Sequence, residues 1–153
     1  FALGWVRRLA ALAMNRSDVD ALLDRHQQSF RSRSAETLAG DHTEHGTFSS
    51  PAAGTVTGRA EVQRVYEYWL AAFPDMDFTW SAPIVEGTRV ALFWHFSGTV
   101  AGQFFGDVHP GTRVQFDGAA EYVVSPEGIV SARHQFDFTG ALVLAGVLKV
   151  KPA

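Results

Sequence analysis

The feature that most constrains this chain is a change of hydrophobic period near its middle. Before Pro74 the dominant pattern is helical; from Asp77 onward apolar residues run in extended stretches broken by short turns. In the first half, "SDVDALLDRHQQSFRSRS" opens on Ser17 as the expected N-cap. Val19, Leu22, Leu23, His26 and Phe30 then form one stripe at helical spacing. A short helix, "SAETLAGD", begins at Ser34. "HGTFSSP" reads as a short strand ending at Pro51, and "AAGTVTG" as a loop. "RAEVQRVYEYWLAAF" is a further helix that buries Val62, Val65, Tyr66, Trp69 and Phe73 and is stopped by Pro74. Four strands follow, at 77–86, 89–101, 112–125 and 129–138, with "EGTR" and "SPEG" as turns. "GALVLAGVL" reads as a closing helix. Helices first and an antiparallel meander second predict an α+β fold: one curved antiparallel sheet forming an open cone, helices on its concave face and a pocket between them.

The chain divides into an N-terminal extension, 1–16, and a single domain, 17–153. In "FALGWVRRLAALAMNR" the pair Arg7–Arg8 interrupts the apolar run instead of preceding it, which is wrong for a secretory signal. Phe1, Trp5, Leu9 and Leu12 recur as on an amphipathic helix. The 153 residues are 46% hydrophobic and 19% charged with net charge −3, enough to bury one core. The slight acidity and the presence of only two lysines, Lys149 and Lys151, argue against a nucleic-acid partner. No apolar run approaches the roughly 18 residues of a membrane span, so no membrane partner is expected and the location should be cytoplasmic. With no Cys there is neither a disulfide nor a thiolate metal site. Twelve Phe and four Trp supply rings for a core and for a pocket that takes a flat organic ligand.

Alternation along 129–138 singles out one candidate base. Ala132, His134, Phe136 and Phe138 share the apolar face; Ser131, Arg133, Gln135 and Asp137 share the polar one. A lone imidazole on an inward apolar face can accept and return a proton, so His134 is the candidate general acid–base; the alternative is a core histidine satisfied by its neighbours. Glu121, on the preceding strand, is a candidate to orient His134 or else a surface carboxylate, because both faces of its strand are apolar. In "ALFWHFSG" the heavier face, Leu92, Trp94 and Phe96, should point inward, leaving Phe93 and His95 outside and Trp94 as pocket wall or core. Gly98, Gly102 and Gly106 mark where a long hairpin can bend, with Phe104 and Phe105 covering the mouth or wall. His26, Tyr66 and Trp69 face the sheet from the helices and could also reach the pocket. "DHTEHGTF" crowds Asp41, His42, Glu44 and His45 but lacks a third ligand at fixed spacing; it reads as a solvated helix end and not as a metal site.

The segments "AAFPDMDFTW", "GTVAGQFFGDVHPGTRV" and "EGIVSARHQFDFTGALVLAGVL" resemble the SnoaL-like polyketide cyclases of the nuclear transport factor 2-like superfamily, which also holds ketosteroid isomerase and limonene epoxide hydrolase. Gly98, Thr99, Gly102, Gly106, Pro110, Gly111 and Val114 carry the hairpin pattern, with Val100 where the family often has His. The resemblance implies an acid–base residue near the middle of the last strand. Aligned without a gap that position is His134; a gap would move it to Asp137, otherwise a surface or helix-terminal carboxylate. The ketosteroid isomerase base falls near Ser50, which is no base. The resemblance further implies a homodimer through the sheet. The expected protein is a cofactor-independent, metal-free enzyme that performs aldol-type acid–base chemistry on a small hydrophobic, polyketide-like carbonyl substrate, with Trp94, Phe104, Phe136 and Phe138 shaping the site. The rival expectations are an epoxide or ester hydrolase, which needs paired acids such as Glu121 or Asp41 with a partner, and a non-catalytic small-molecule-binding module.

Overall fold

The computed structural model describes residues 14–152; most of the expected 1–16 extension lies outside the described residues. Among the described residues, four helices pack on one side of a seven-stranded sheet. Helix α1 spans Arg16–Ser32, α2 Ala35–Gly40, α3 Arg59–Ala72 and α4 Phe138–Ala145. The strands are β1 His42–Ser50, β2 Gly54–Thr57, β3 Asp77–Trp80, β4 Ile84–Glu86, β5 Arg89–Thr99, β6 Arg113–Ser125 and β7 Gly128–Phe136. The order across the sheet is β2-β1-β7-β6-β5-β3, with β4 pairing β5 beyond the end of β3. The α+β open cone is therefore as expected, in a sheet that is curved and unclosed.

Four details differ from the reading of the sequence. The sheet is mixed, because β1 runs parallel to β7. "AAGTVTG" contains β2, which pairs antiparallel with β1. The 77–86 strand is two, since Ser81, Ala82 and Pro83 break the ladder. Helix α1 begins earlier, on Asn15: its side chain accepts from the Asp18 amide while the Asp18 carboxylate accepts from the Asn15 amide, a reciprocal cap that Ser17 does not make.

The stripe read on α1 is buried as expected, Val19, Leu22, Leu23, His26 and Phe30 all lying against the sheet. On α3, Val62, Tyr66 and Phe73 are buried and Val65 and Trp69 half-buried. Gly98 explains how closely α3 docks: a Cβ there would sit 2.9 Å from Phe73 Cδ1, so a side chain at 98 would push the helix off the sheet. The outer face carries polar side-chain contacts. Glu121 meets Arg89 at 2.8 Å and Arg133 at 3.3 Å, and His95 meets Asp117 at 2.7 Å. Phe93 stands 67% exposed among them.

Candidate active site

Two kinds of surroundings meet inside the cone, and the sheet register fixes their places. Toward one end Tyr122 pairs with Val90 and Ala132, and His42 with Ile129. Toward the other, Trp94 lies opposite Gly118, Gly118 opposite Phe136, and Phe96 opposite Phe116. His134, opposite Ala120, stands between them.

The aromatic end forms a chamber of about 60 Å³. Its wall is rings from every layer: Phe30 and Tyr66 from helices, Phe48 from β1, Trp94 and Phe96 from β5, Phe116 from β6 and Phe136 from β7. Gly118 makes room for it. A Cβ at 118 would fall 2.2 Å from Trp94 Cζ2, so the indole lies flat across that glycine. His134 is in the wall, 5% exposed, with its ring stacked on Phe48 at 5.1 Å between centroids. Its Nε2 lies 3.4 Å from the Tyr122 hydroxyl, a long contact. Other polar atoms in the wall come from Ser50, whose Oγ accepts from the Ala53 amide and keeps its own proton free to donate, and from Tyr66. The Trp94 Nε1–H is buried without a partner.

The other end is a polar knot under α1. Asp41, 4% exposed, is held at 2.9 Å by His26 Nδ1 and at 2.9 Å by Arg25 Nε. His42 is fully buried and shares a 3.0 Å hydrogen bond with the Tyr66 hydroxyl. His26 Nε2 and His42 Nδ1 have no partner, and the two rings stand 5.7 Å apart. Burial raises the Asp41 pKa, but hydrogen bonds from His26, Ser29 and Arg25 outweigh it and hold the carboxyl at about 2. An ionised Asp41 can only accept, so His26 carries its proton on Nδ1. Burial lowers His26 despite Asp41. Burial, with the neighbouring imidazole His26, also lowers His42 and His134, each to about 3, so these rings are neutral at pH 7. Burial drives both Tyr122 and Tyr66 well above the ordinary phenol value, so both hydroxyls keep their protons.

Of the residues expected in the site, His134, Trp94, Phe136, Tyr66 and Trp69 line the chamber. His134 is so thoroughly desolvated that its ring stays neutral far into acid. Glu121 does not orient it, because it alternates to the outer face and is taken by Arg89 and Arg133. Asp137 is exposed and caps α4, accepting from the Gly140 amide at 2.8 Å, and so is not in the wall. Phe104 is fully buried behind Trp69, 5.2 Å between ring centroids, and Phe138 packs at 4.9 Å on Phe105; neither reaches the chamber. His26 lies one layer behind Phe30 and Tyr66. Asp41 and His42, expected in solvent, are buried. Their partners His26 and Tyr66 sit on helices α1 and α3, so no local pattern announces them. Phe48, Met76, Phe78 and Phe116 complete the wall without having been singled out, together with Ser50, named from the sequence only as the place where a base is missing. Among the described residues no three His, Asp or Glu side chains gather as a metal site.

This geometry can be compared with known proteins. The sequence model of the SnoaL-like polyketide cyclases matches residues 21–143. The chain belongs to that family. Solved structures of the SnoaL-like and ketosteroid isomerase-like kind superpose on it. AclR of Streptomyces galilaeus, a candidate hydroxylase, is 23% identical over 90% of this chain and 91% of its own, with a TM-score of 0.75. A protein of ketosteroid isomerase-like fold from Catenulispora acidiphila, solved with trimethylamine, is 18% identical over 86% and 97%, TM-score 0.71. SalBIII, an epoxide hydrolase/cyclase-like enzyme of pyran ring formation in the polyether salinomycin, is 16% identical over 82% and 95%, TM-score 0.69. No curated protein sequence matches the chain. At these identities the structural likeness establishes the nuclear transport factor 2-like fold of a SnoaL-like protein. No described helix is long and apolar enough to cross a membrane.

Proposed function

We propose that this SnoaL-like chain is a cofactor-independent cyclase that performs aldol-type acid–base chemistry on a small, flat, polyketide-like carbonyl compound, with His134 as the catalytic residue. The observation that carries this reading is the position of His134: a neutral imidazole in the wall of a buried aromatic chamber, with only a long contact to Tyr122. The substrate's C–H bond α to a carbonyl breaks, its proton goes to the imidazole, and an enolate forms. The enolate carbon attacks a second carbonyl of the same molecule, a C–C bond forms, and the resulting alkoxide takes the proton back. A ring with a pKa of about 3 in the empty chamber is a weak base. An enolate forming beside it in a dry site raises the imidazolium's pKa by direct attraction, so the proton is held only while the anion is there. The Ser50 hydroxyl in the wall is a donor available to the developing oxygen anion. The homodimer through the outer sheet face, where Phe93 is exposed, is part of the same proposal.

Hydrolysis by paired acids has less support. Among the described residues no carboxylate lines the chamber, Glu121 is outside it, and Asp41 is committed to His26 and Arg25. A non-catalytic binding module remains a second reading, favoured by the low basicity of His134.

Deuterium exchange at the central carbon of a cyclic 1,3-diketone in D2O, followed by NMR, separates the two. The expected result is catalysed exchange that falls by roughly a hundredfold in His134→Ala, the usual worth of a positioned base, while the diketone still binds. Exchange at the wild-type rate in His134→Ala removes His134 from the mechanism. Binding with no catalysed exchange in either protein leaves the binding module.

A further inference from the structure

The 60 Å³ chamber cannot hold a polyketide-sized ring as it stands, since ligand sites occupy roughly 300 to 1,000 Å³. A groove of about 250 Å³ lies directly outside it, between α3 and the β1–β2 hairpin, floored by Ala52, Ala53 and Val56. The chamber and the groove share two wall residues, Val65 and Trp69, one helical turn apart on α3. We propose that Trp69 is a gate and size filter: rotation of its indole opens the inner chamber into the outer groove, and the flat substrate lies across both. This rests on the reading of the chamber as the reaction site.

Two further observations support the gate. The outer rim is a strained turn. Phe105 has φ of 54°, the left-handed region that a bulky residue rarely adopts. It is held there by its own amide donating to the Tyr68 hydroxyl at 2.6 Å, with the two rings 4.9 Å apart. The turn seats fully buried Phe104 against Trp69 and leaves Phe105, 43% exposed, in the groove wall beside the gate. The groove also differs from the chamber in chemistry. Glu61 and Arg64 pair across one turn of α3 at its edge, whereas the chamber is almost wholly rings. The ligand that fits both compartments has an apolar flat end inward and a polar end outward.

The test is the association rate of 2-naphthol, by stopped-flow fluorescence, for wild type, Trp69→Ala and Val65→Phe. Arrival in the chamber is read independently from the ring ¹⁵N resonances of His134. The gate predicts that Trp69→Ala speeds association at least tenfold and that Val65→Phe, which thickens the partition, slows it at least tenfold. Trp69→Phe, which keeps a ring in the core, should fall between wild type and Trp69→Ala and serves if the alanine variant does not fold. Rates within threefold of wild type across the variants, with His134 shifted by the ligand, overturn the gate and leave the function standing. Gated binding with unaltered exchange in His134→Ala overturns the function and leaves the gate. No binding of 2-naphthol to any of these proteins overturns the gate.

Discussion

The aromatic end and the polar end of the cone are buried to a similar degree and held by different forces. Around the chamber, Phe96, Phe116 and Phe136 stack ring on ring at 4.8 and 5.3 Å, contacts that do not depend on protonation. Under α1, stability rests on a carboxylate with two donors and on imidazoles kept neutral. The difference shows how the fold can bury three histidines: it surrounds one with rings and ties the other two to a carboxylate and a phenol.

Acid should have the largest effect, reaching the polar end through His42 and the aromatic end through the one imidazole in its wall, His134. His42 and His134 have folded pKa values of about 3, below the ordinary 6.5. The unfolded chain therefore binds their protons first. The stability they allow is complete above pH 6.5 and is lost as pH falls from there toward 3. At pH 5 these two together cost about 4 kcal/mol, and His26 acts in the same direction. Denaturant titrations across pH 7 to 4.5 should show this loss, with a shallower slope in His42→Phe; a stability that is flat down to pH 5 contradicts the neutral imidazoles.

A smaller effect is expected from Asp41→Ala at pH 7. It strands His26 Nδ1 and removes the acceptor of Arg25, and should cost about 3 kcal/mol, as breaking a buried pair does. The depressed Asp41 pKa adds stability that is present above pH 4 and lost as pH falls toward 2, overlapping the acid end of the histidine window and extending below it. Urea midpoints of wild type and variant at pH 7 decide it. If the variant loses less than 1 kcal/mol, the polar knot is not a structural unit.

The mildest change is aimed at the chamber. Gly118→Ala must displace the Trp94 indole, an overpacking that costs about 2 kcal/mol. It should also reduce 2-naphthol affinity while leaving the acid slope unchanged. Calorimetry and the same urea series read both, and an unchanged affinity would mean that the indole is not part of the ligand wall.

The legible parts of this molecule were those in which one residue's neighbours along the chain decide its place. Alternation alone turned His134 inward with Ala132 and Phe136 and turned Phe93 and His95 outward, and the helical stripe of α3 delivered Tyr66 and Trp69 to the chamber. Glu121 was ambiguous because Ala119 and Val123 beside it are as apolar as Tyr122 and Val124; cross-strand Arg89 and Arg133 settle its face, and neither is near it in sequence. "DHTEHGTF" reads as solvent-exposed because its composition is polar, yet Asp41 and His42 are drawn inside by partners on two helices. Asp137 shows the opposite error, a carboxylate made attractive by its position near a candidate base and used only to cap α4.

The parallel seam between β1 and β7 has a consequence for how the molecule is made. His42 pairs with Ile129 and Thr47 with Ser131, so the β1–β2 hairpin emerges from the ribosome long before its neighbour exists. Until β7 arrives, one edge of that hairpin has open amides and carbonyls, a template for any other nascent strand. Such distant pairing also slows folding, so synthesis is the stage at which this chain most needs to be shielded from other copies of itself.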